Sequence, residues 1–163
     1  MKETGGTVET LNRAFRVQLI IAISIFLSLV VFLVVEELLR HFLRPFLGWG
    51  GIAFNQVPQF RYLIYGVSVG VVVLIRLLQA IFLRLPPHLD FSQALARLSS
   101  GTLIPLVLAE IPAMLGFVFF LLTGLQRDFY VLGMVSVILM FMYFPRKAVW
   151  QEKLAPPLSE KRG

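Results

Sequence analysis

The feature that most constrains the fold of this chain is a series of long apolar runs. The first, VQLIIAISIFLSLVVFLVV at residues 17–35, contains no charged residue, and three more cover residues 62–83, 102–124 and 127–144. A transmembrane helix needs about 20 mostly apolar residues. The runs lack the alternation of a lipid-facing strand. They predict an all-α integral membrane protein with four transmembrane helices.

Composition supports a bilayer as the solvent and a single membrane domain. Hydrophobic residues make up 58% of the 163 positions and charged residues 15%, whereas a soluble domain has about 45–50% and about 25%. We expect a cytoplasmic N-terminal segment (1–16), a membrane domain (17–144) and a basic cytoplasmic tail (145–163). The first span is too long, and too far from the N-terminus, for a removable signal peptide, so we interpret it as a retained anchor.

The distribution of basic residues predicts that both termini are cytoplasmic. With that orientation the cytoplasmic pieces hold eleven Lys and Arg residues, and the outer pieces hold four: Arg40, Arg44, Arg61 and Arg127. The aromatic residues Trp49, Tyr62, Tyr130, Tyr143 and Trp150 stand near span ends, as in interfacial belts. We expect a protein of the bacterial cytoplasmic membrane that contacts anionic lipid headgroups at its cytoplasmic face. Nucleic acid is not an expected partner, despite the net charge of +6.

The sequences of two connections between the spans also predict structure. The outer loop, residues 36–61, is rich in aromatics and poor in charge, which favours a position in the membrane interface. On the cytoplasmic side, Asp90 and Gln93 form a capping-box pattern followed by apolar residues at helical spacing. This pattern predicts a short amphipathic helix on the inner surface between the second and third spans. The final segment, residues 153–163, is polar and predicts disorder.

One carboxylate, Glu110, lies inside the third apolar run and is the main candidate for a functional group. At about 1.5 Å per residue it is about 12 Å from the cytoplasmic end of its span, and Arg76 of the second span is about 10–11 Å from the same boundary. A charge at such depth is costly, and it is therefore paired, neutral or next to a cavity. We hypothesise an ion pair between Arg76 and Glu110.

Each member of this pair has an alternative interpretation. Arg76 can snorkel to the cytoplasmic headgroups along its long stem. Glu110 can be a neutral carboxyl, hydrogen-bonded to Ser68, Tyr65 or Ser136 and serving only packing. An ion pair with Arg76 and a neutral carboxyl imply different charges on Glu110, because a nearby cation favours the ionised acid whereas burial favours the neutral one.

Small residues define two candidate helix-packing faces. In the third span, five of them fall within about 80° of one another on a helical wheel, namely Gly101, Pro105, Ala109, Pro112 and Gly116. Such a stripe lets another helix approach closely. The second span has a GxxxG pair, Gly66 and Gly70, which is a weaker signal.

The third span, with the segment LAEIPAMLGFVFFLL, resembles the outer helix of the rotary ATP synthase c subunit family. In that family the outer helix carries an ion-binding carboxylate among small residues, and Glu110 stands at the matching position. The resemblance implies a helical hairpin with a cytoplasmic turn, here RLPPHL, and proton or ion translocation. The chain departs from the family in having only Gly66 and Gly70 in the preceding helix, and in carrying Arg76 there.

The sequence contains no convincing catalytic or metal-binding constellation. There is no cysteine, and the two histidines, His41 and His88, fall in loops predicted on opposite sides of the membrane. GVSVG at residues 66–70 matches a nucleophile-elbow pattern around Ser68, but it lies in an apolar span and lacks a base. Glu37 with His41 supplies only two metal ligands. We therefore expect no enzymatic activity, no cofactor and no metal.

These observations favour a small, non-catalytic inner-membrane protein that acts as an accessory or packing subunit. Its expected partners are other membrane proteins or further copies of itself. One alternative is a proton- or ion-translocating component that uses Glu110. A second alternative is an oligomer that handles lipid through the outer loop.

Overall fold

The computed structural model consists of four α-helices: α1 (Glu3–Phe42), α2 (Val57–Phe82), α3 (Phe91–Thr123) and α4 (Gln126–Tyr143). The structure describes residues 3–51, 55–82, 91–147 and 150, with side chains for 9–51, 55–81, 92–147 and 150. No β-strand occurs within these ranges. The prediction of an all-helical protein is confirmed for this part of the chain.

Three of the helices are long and apolar enough to cross a membrane, by length and composition. They are α1 over Glu9–Phe42, α2 over Val57–Ile81 and α3 over Ser92–Thr123. The 40 residues of α1 extend over about 60 Å at 1.5 Å per residue, twice the hydrocarbon thickness of about 30 Å. One end of α1 must therefore project beyond a membrane that the helix spans.

The central helix of the bundle is α3, which packs against each of the other three helices. In its most apolar window 39% of the residues are buried, against 11% in α1 and in α2. The predicted stripe of small residues lies in this buried surface: Gly101, Pro105, Ala109, Pro112 and Gly116 are all buried. At Gly116 a Cβ atom would lie 3.0 Å from the Leu132 Cβ atom of α4. Small side chains are thus what allow α4 to approach α3 so closely.

The buried face of α1 follows a heptad pattern that its uniform apolarity conceals. Buried or partly buried residues recur along α1 at alternating steps of four and three: Leu11, Phe15, Gln18, Ala22, Ile25, Leu29, Phe32 and Glu36. This spacing is that of a coiled-coil seam. Two polar residues, Gln18 and Glu36, therefore occupy buried seam positions.

One end of the bundle, here called the loop end, is closed by residues 43–51. The backbone N–H of Trp49 donates to the Leu121 carbonyl (2.8 Å), and that of Gly50 donates to the Leu122 carbonyl (3.0 Å). Carbonyls in the last turn of a helix have no partner within the helix, so this loop completes the end of α3. The connection between α1 and α2 is shorter than the predicted loop of 36–61, because α1 continues to Phe42 and α2 begins at Val57.

The opposite end, here called the terminal end, has a small core of its own. Leu11 of α1, Ala94 and Leu98 of α3 and Trp150 are all buried there. The prediction of a separate amphipathic helix between the second and third spans is wrong, because residues 91–101 are the first turns of α3 and pack against α1. Asp90 of the predicted capping box and the tail residues 153–163 lie outside the described residues.

Candidate functional site

Glu110 lies on α3 next to the fully buried Ala109 and is itself partly buried. Its carboxyl oxygen Oε1 is hydrogen-bonded to the Ser28 hydroxyl of α1. The same hydroxyl lies 2.7 Å from the Ile25 carbonyl oxygen one turn earlier in α1. Glu110 and Ser28 therefore join α1 to α3 through a polar contact surrounded by apolar side chains.

The Ser28 hydroxyl is within hydrogen-bond reach of two acceptors, the Ile25 carbonyl and Glu110 Oε1. A serine hydroxyl has one proton to donate and two lone pairs to accept with. The single Ser28 proton is therefore shared between the backbone of α1 and the carboxyl group on α3.

The expected ion pair between Arg76 and Glu110 is not formed. Arg76 is exposed, and its guanidinium has no carboxylate partner among the described residues. The reason is its position on α2, whose buried face is formed by Ser68, Val71 and Ile75. Arg76 is about 100° round the helix from Ile75, so it points away from α3.

The polar residues that were expected to support Glu110 bind elsewhere. The Ser68 hydroxyl donates to the Ile64 carbonyl within α2 (2.8 Å), and Tyr65 donates to Asp128 (3.1 Å). Ser136 of α4 accepts a hydrogen bond from the backbone N–H of Ala113 (2.9 Å). Ala113 directly follows Pro112, where the helical hydrogen-bond ladder is disturbed. The buried Ser136 hydroxyl thus satisfies a backbone donor at this point.

The two glycines of the second span do not pack within the chain. A Cβ atom at Gly66 or Gly70 would meet nothing within 4 Å. At about 100° per residue, both glycines lie on the side of α2 opposite to the buried residues Ser68 and Ile75. α2 thus contacts α3 with one face and leaves the glycine face open.

A polar network at the loop end contains residues that the sequence analysis did not single out. Asp128 is 3% exposed and accepts hydrogen bonds from Arg61 (2.8 Å) and Tyr65 (3.1 Å) of α2. Since Asp128 lies in the first turn of α4, its charge also suits the positive end of that helix dipole. This ion pair connects the first turn of α4 to α2.

Glu36 is a second missed residue of this end. Its place beside Glu37 at the end of an apolar run is typical of a solvated helix end, yet Glu36 is fully buried. Its Oε2 atom accepts a hydrogen bond from the Tyr130 hydroxyl of α4 (2.9 Å), while Oε1 is buried without a partner. Glu36 lies on the seam of α1, where the neighbouring Glu37 instead points outward and pairs with Arg40 (2.7 Å).

Some of these contacts could have been predicted from the sequence. By the same depth estimate, Ser28 is about 16 Å from the start of its span, close to the level of Glu110, so it was a candidate partner. Arg61 and Asp128 are opposite charges at span ends that four antiparallel helices bring to the same side. The burial of Glu36 had no signal, because it depends on which face of an apolar helix turns inward.

Within the described residues no cluster of three or more metal-ligating side chains occurs. Comparison with known proteins adds no further lead: no protein family, no curated protein and no solved structure matches the chain significantly.

Proposed function

We propose that this protein is a non-catalytic subunit of a membrane complex, with four spans and both termini in the cytoplasm of a bacterial cell. The observation that carries the proposal is the open glycine face of α2, where Gly66 and Gly70 have no neighbour within 4 Å. Glycines at this spacing allow two helices in a membrane to pack closely. The occupant of this face is a helix of another membrane protein or of a second copy.

The exposed surface around the glycines fits this use. Leu63, Val73 and Leu77 lie on the same side of α2 and are 53–62% exposed. Glycines surrounded by larger apolar side chains form a shallow groove, in which the ridge of an incoming helix gains van der Waals contacts.

Site-specific photo-crosslinking of the full chain in its membrane tests this proposal. A photoreactive residue at Val73, on the glycine face, is expected to give a crosslinked product, and Gly70→Leu should abolish that product by blocking close approach. The control position is Met134 of α4, which is 65% exposed and lies on another helix. Equal crosslinking at both positions, or a product that survives Gly70→Leu, would contradict the proposal. The mass of the product distinguishes a second copy from another protein.

The second candidate function is proton translocation through Glu110. It is favoured by the position of Glu110 among apolar side chains, with the Ser28 hydroxyl as its partner, and by the lack of an arginine partner among the described residues. The resemblance of LAEIPAMLGFVFFLL to the c subunit helix of rotary ATP synthases points the same way.

Infrared difference spectra of the protein in lipid, with Glu110→Gln as the reference, test this candidate. A protonated carboxyl band at neutral pH that disappears reversibly in alkali is expected, together with proton flux into liposomes that Glu110→Gln abolishes. A permanently ionised carboxylate, or flux that persists in the variant, would rule out Glu110 as the carrier. Ser24→Ala is a suitable control, since Ser24 bonds only to the Ile20 carbonyl of its own helix (2.9 Å).

A further inference from the structure

Two cavities lie along the contact between α1 and α4, and their linings differ in character. The cavity at the loop end has a volume of about 500 Å³ and is lined by Arg40, Arg44 and Gln126 together with Phe46 and Phe120. The other has a volume of about 260 Å³ and an apolar lining that includes Leu33 of α1 and Gly133 of α4. One is basic and aromatic, and the other is suited to hydrocarbon.

The helix registers place both cavities on the same side of the contact between α1 and α4. On α1, Leu33 and Arg40 are seven residues apart, which is two turns on the same face. On α4, Gln126 and Tyr130 are four residues apart, or one turn, and Tyr130 lines the apolar cavity. The basic part therefore lies closer to the loop end than the apolar part does, along the same pair of helices, and Tyr130 lies between the two parts. We call the whole the α1–α4 groove.

The length of the groove fits one leaflet of a bilayer. From Arg40 to Phe26, which lines the apolar part, the distance along α1 is about 21 Å. Half of the hydrocarbon core is about 15 Å thick. Phe26 contacts Phe141 of α4 edge to face, with ring centroids 6.1 Å apart, and this pair closes the groove at the end farther from Arg40.

The basic part offers charged donors to an anion. Arg40 is held in place by Glu37, which its Nη2 atom contacts at 2.7 and 2.8 Å. Arg44 is exposed and has no ion-pair partner among the described residues. Guanidinium groups bind phosphate oxygens through charge-assisted hydrogen bonds. Arg40 is thus engaged by Glu37 and, at 3.4 Å, by Gln126, and Arg44 supplies the positive charge that is left for a ligand.

We propose that the α1–α4 groove binds one anionic phospholipid, with its phosphate at Arg40 and Arg44 and an acyl chain between Leu33 and Gly133. The combination of a basic pocket with an apolar channel of leaflet length matches this amphiphile. The inference goes beyond the proposed function and does not rest on it, because the groove and the glycine face of α2 involve different helices.

Native mass spectrometry of the delipidated full chain in non-ionic detergent tests the proposal. Phosphatidylglycerol is expected to bind more tightly than phosphatidylcholine with the same acyl chains. Arg44→Gln should weaken phosphatidylglycerol binding about tenfold, the effect of losing one charge-assisted hydrogen bond. The matched control is Arg127→Gln, since Arg127 is exposed near the same end but does not line the cavity.

A second pair of variants tests the acyl-chain site. Gly133→Leu fills the apolar part and should displace the lipid, whereas Val69→Phe, an enlargement of similar size at a position of α2 that is 63% exposed and outside the groove, should leave binding unchanged. Equal binding of the two lipids, equal effects of Arg44→Gln and Arg127→Gln, or lipid binding that survives Gly133→Leu would overturn the proposal. Competition by glycerol 3-phosphate as effective as that by phosphatidylglycerol would show a site for soluble phosphate and would equally overturn it.

Discussion

At the scale of single residues, three acids that are withdrawn from water are stabilised in three different ways. Asp128 has a cationic partner in Arg61, Glu110 has a serine hydroxyl, and Glu36 has one tyrosine hydroxyl. An ionised carboxylate away from water needs a cation or several donors, whereas a neutral one needs a single partner. Of these three acids, Asp128 is the one with a cationic partner among the described residues.

The contact between Ser28 and Glu110 leads to a stability prediction. Ser28→Ala removes the side-chain hydrogen bond between Glu110 and α1, and we expect the free energy of unfolding to fall by about 0.6 kcal/mol, the average for such bonds in a membrane protein, and by no more than about 1.7 kcal/mol. Ser24→Ala should change it less, because Ser24 bonds only within α1. Unfolding in mixed micelles measures both. Equal losses in the two variants would mean that the interhelical bond contributes nothing.

Asp128 provides a second prediction at this scale. Asp128→Asn leaves Arg61 without its counter-ion, and we expect a loss of about 2 kcal/mol, typical of a hydrogen bond to a charged group. Glu37→Gln is the control, since the Glu37–Arg40 pair is exposed and surface pairs contribute little. The measurement is again the free energy of unfolding in mixed micelles. A larger effect of Glu37→Gln would contradict the importance assigned to burial.

At the scale of elements, glycines mark the places where the backbone of one segment approaches another. Gly48 has a φ of +81°, and a Cβ atom there would lie 2.5 Å from the Leu122 carbonyl oxygen at the end of α3. Gly124, between α3 and α4, would place its Cβ atom 2.5 Å from the Phe46 carbonyl oxygen. The loop, the end of α3 and the turn into α4 therefore form one tightly packed unit.

This packing predicts unequal effects of alanine at two loop glycines. Gly48→Ala and Gly51→Ala both place a side chain at positive φ, which costs about 1–3 kcal/mol. Only Gly48→Ala adds a clash with backbone, because a Cβ atom at Gly51 meets nothing within 4 Å. We expect the larger loss of stability for Gly48→Ala, measured by thermal unfolding in detergent. Similar losses would show that the loop can move away from α3.

At the scale of the whole molecule, the pair of α1 and α3 is longer than a membrane and continues into a second core at the terminal end. Phe15 contacts Trp150 there, with ring centroids 6.0 Å apart, and Gln18 donates to Ser99 at 2.5 Å. The segment that follows α4 thus returns to the start of α1. The bundle is held together at both ends by contacts between segments distant in the sequence.

Trp150 allows a direct test of this second core. Trp150→Ala is expected to lower the free energy of unfolding by about 3 kcal/mol, as large-to-small changes in a core do. Trp49→Ala should have a much smaller effect, since Trp49 is 66% exposed whereas Trp150 is 2% exposed. Unfolding in mixed micelles and limited proteolysis at the terminal end measure the difference. Equal effects of the two changes would mean that the second core is marginal.

The helices themselves could be predicted from sequence because each depends on local apolarity and length. The position of the small residues on one face of α3 could also be predicted from the sequence, since a helix has a fixed angular period. The partners of Glu110 and Arg76 were not, because depth along a helix says nothing about its rotation about its axis. On α1, where nearly every residue of the span is apolar, no pattern marks the side that turns inward.

The sequence by itself thus predicted a helical chain with four spans and an acid within the third; the described residues are helical, and three of their helices are long and apolar enough to cross a membrane. Only the tertiary structure decided that Ser28 rather than Arg76 binds this acid, that Glu36 is buried and that the glycines of α2 stay open. The physical reason is that helix formation needs only backbone hydrogen bonds within the segment, whereas the rotation of each helix depends on packing against all the others.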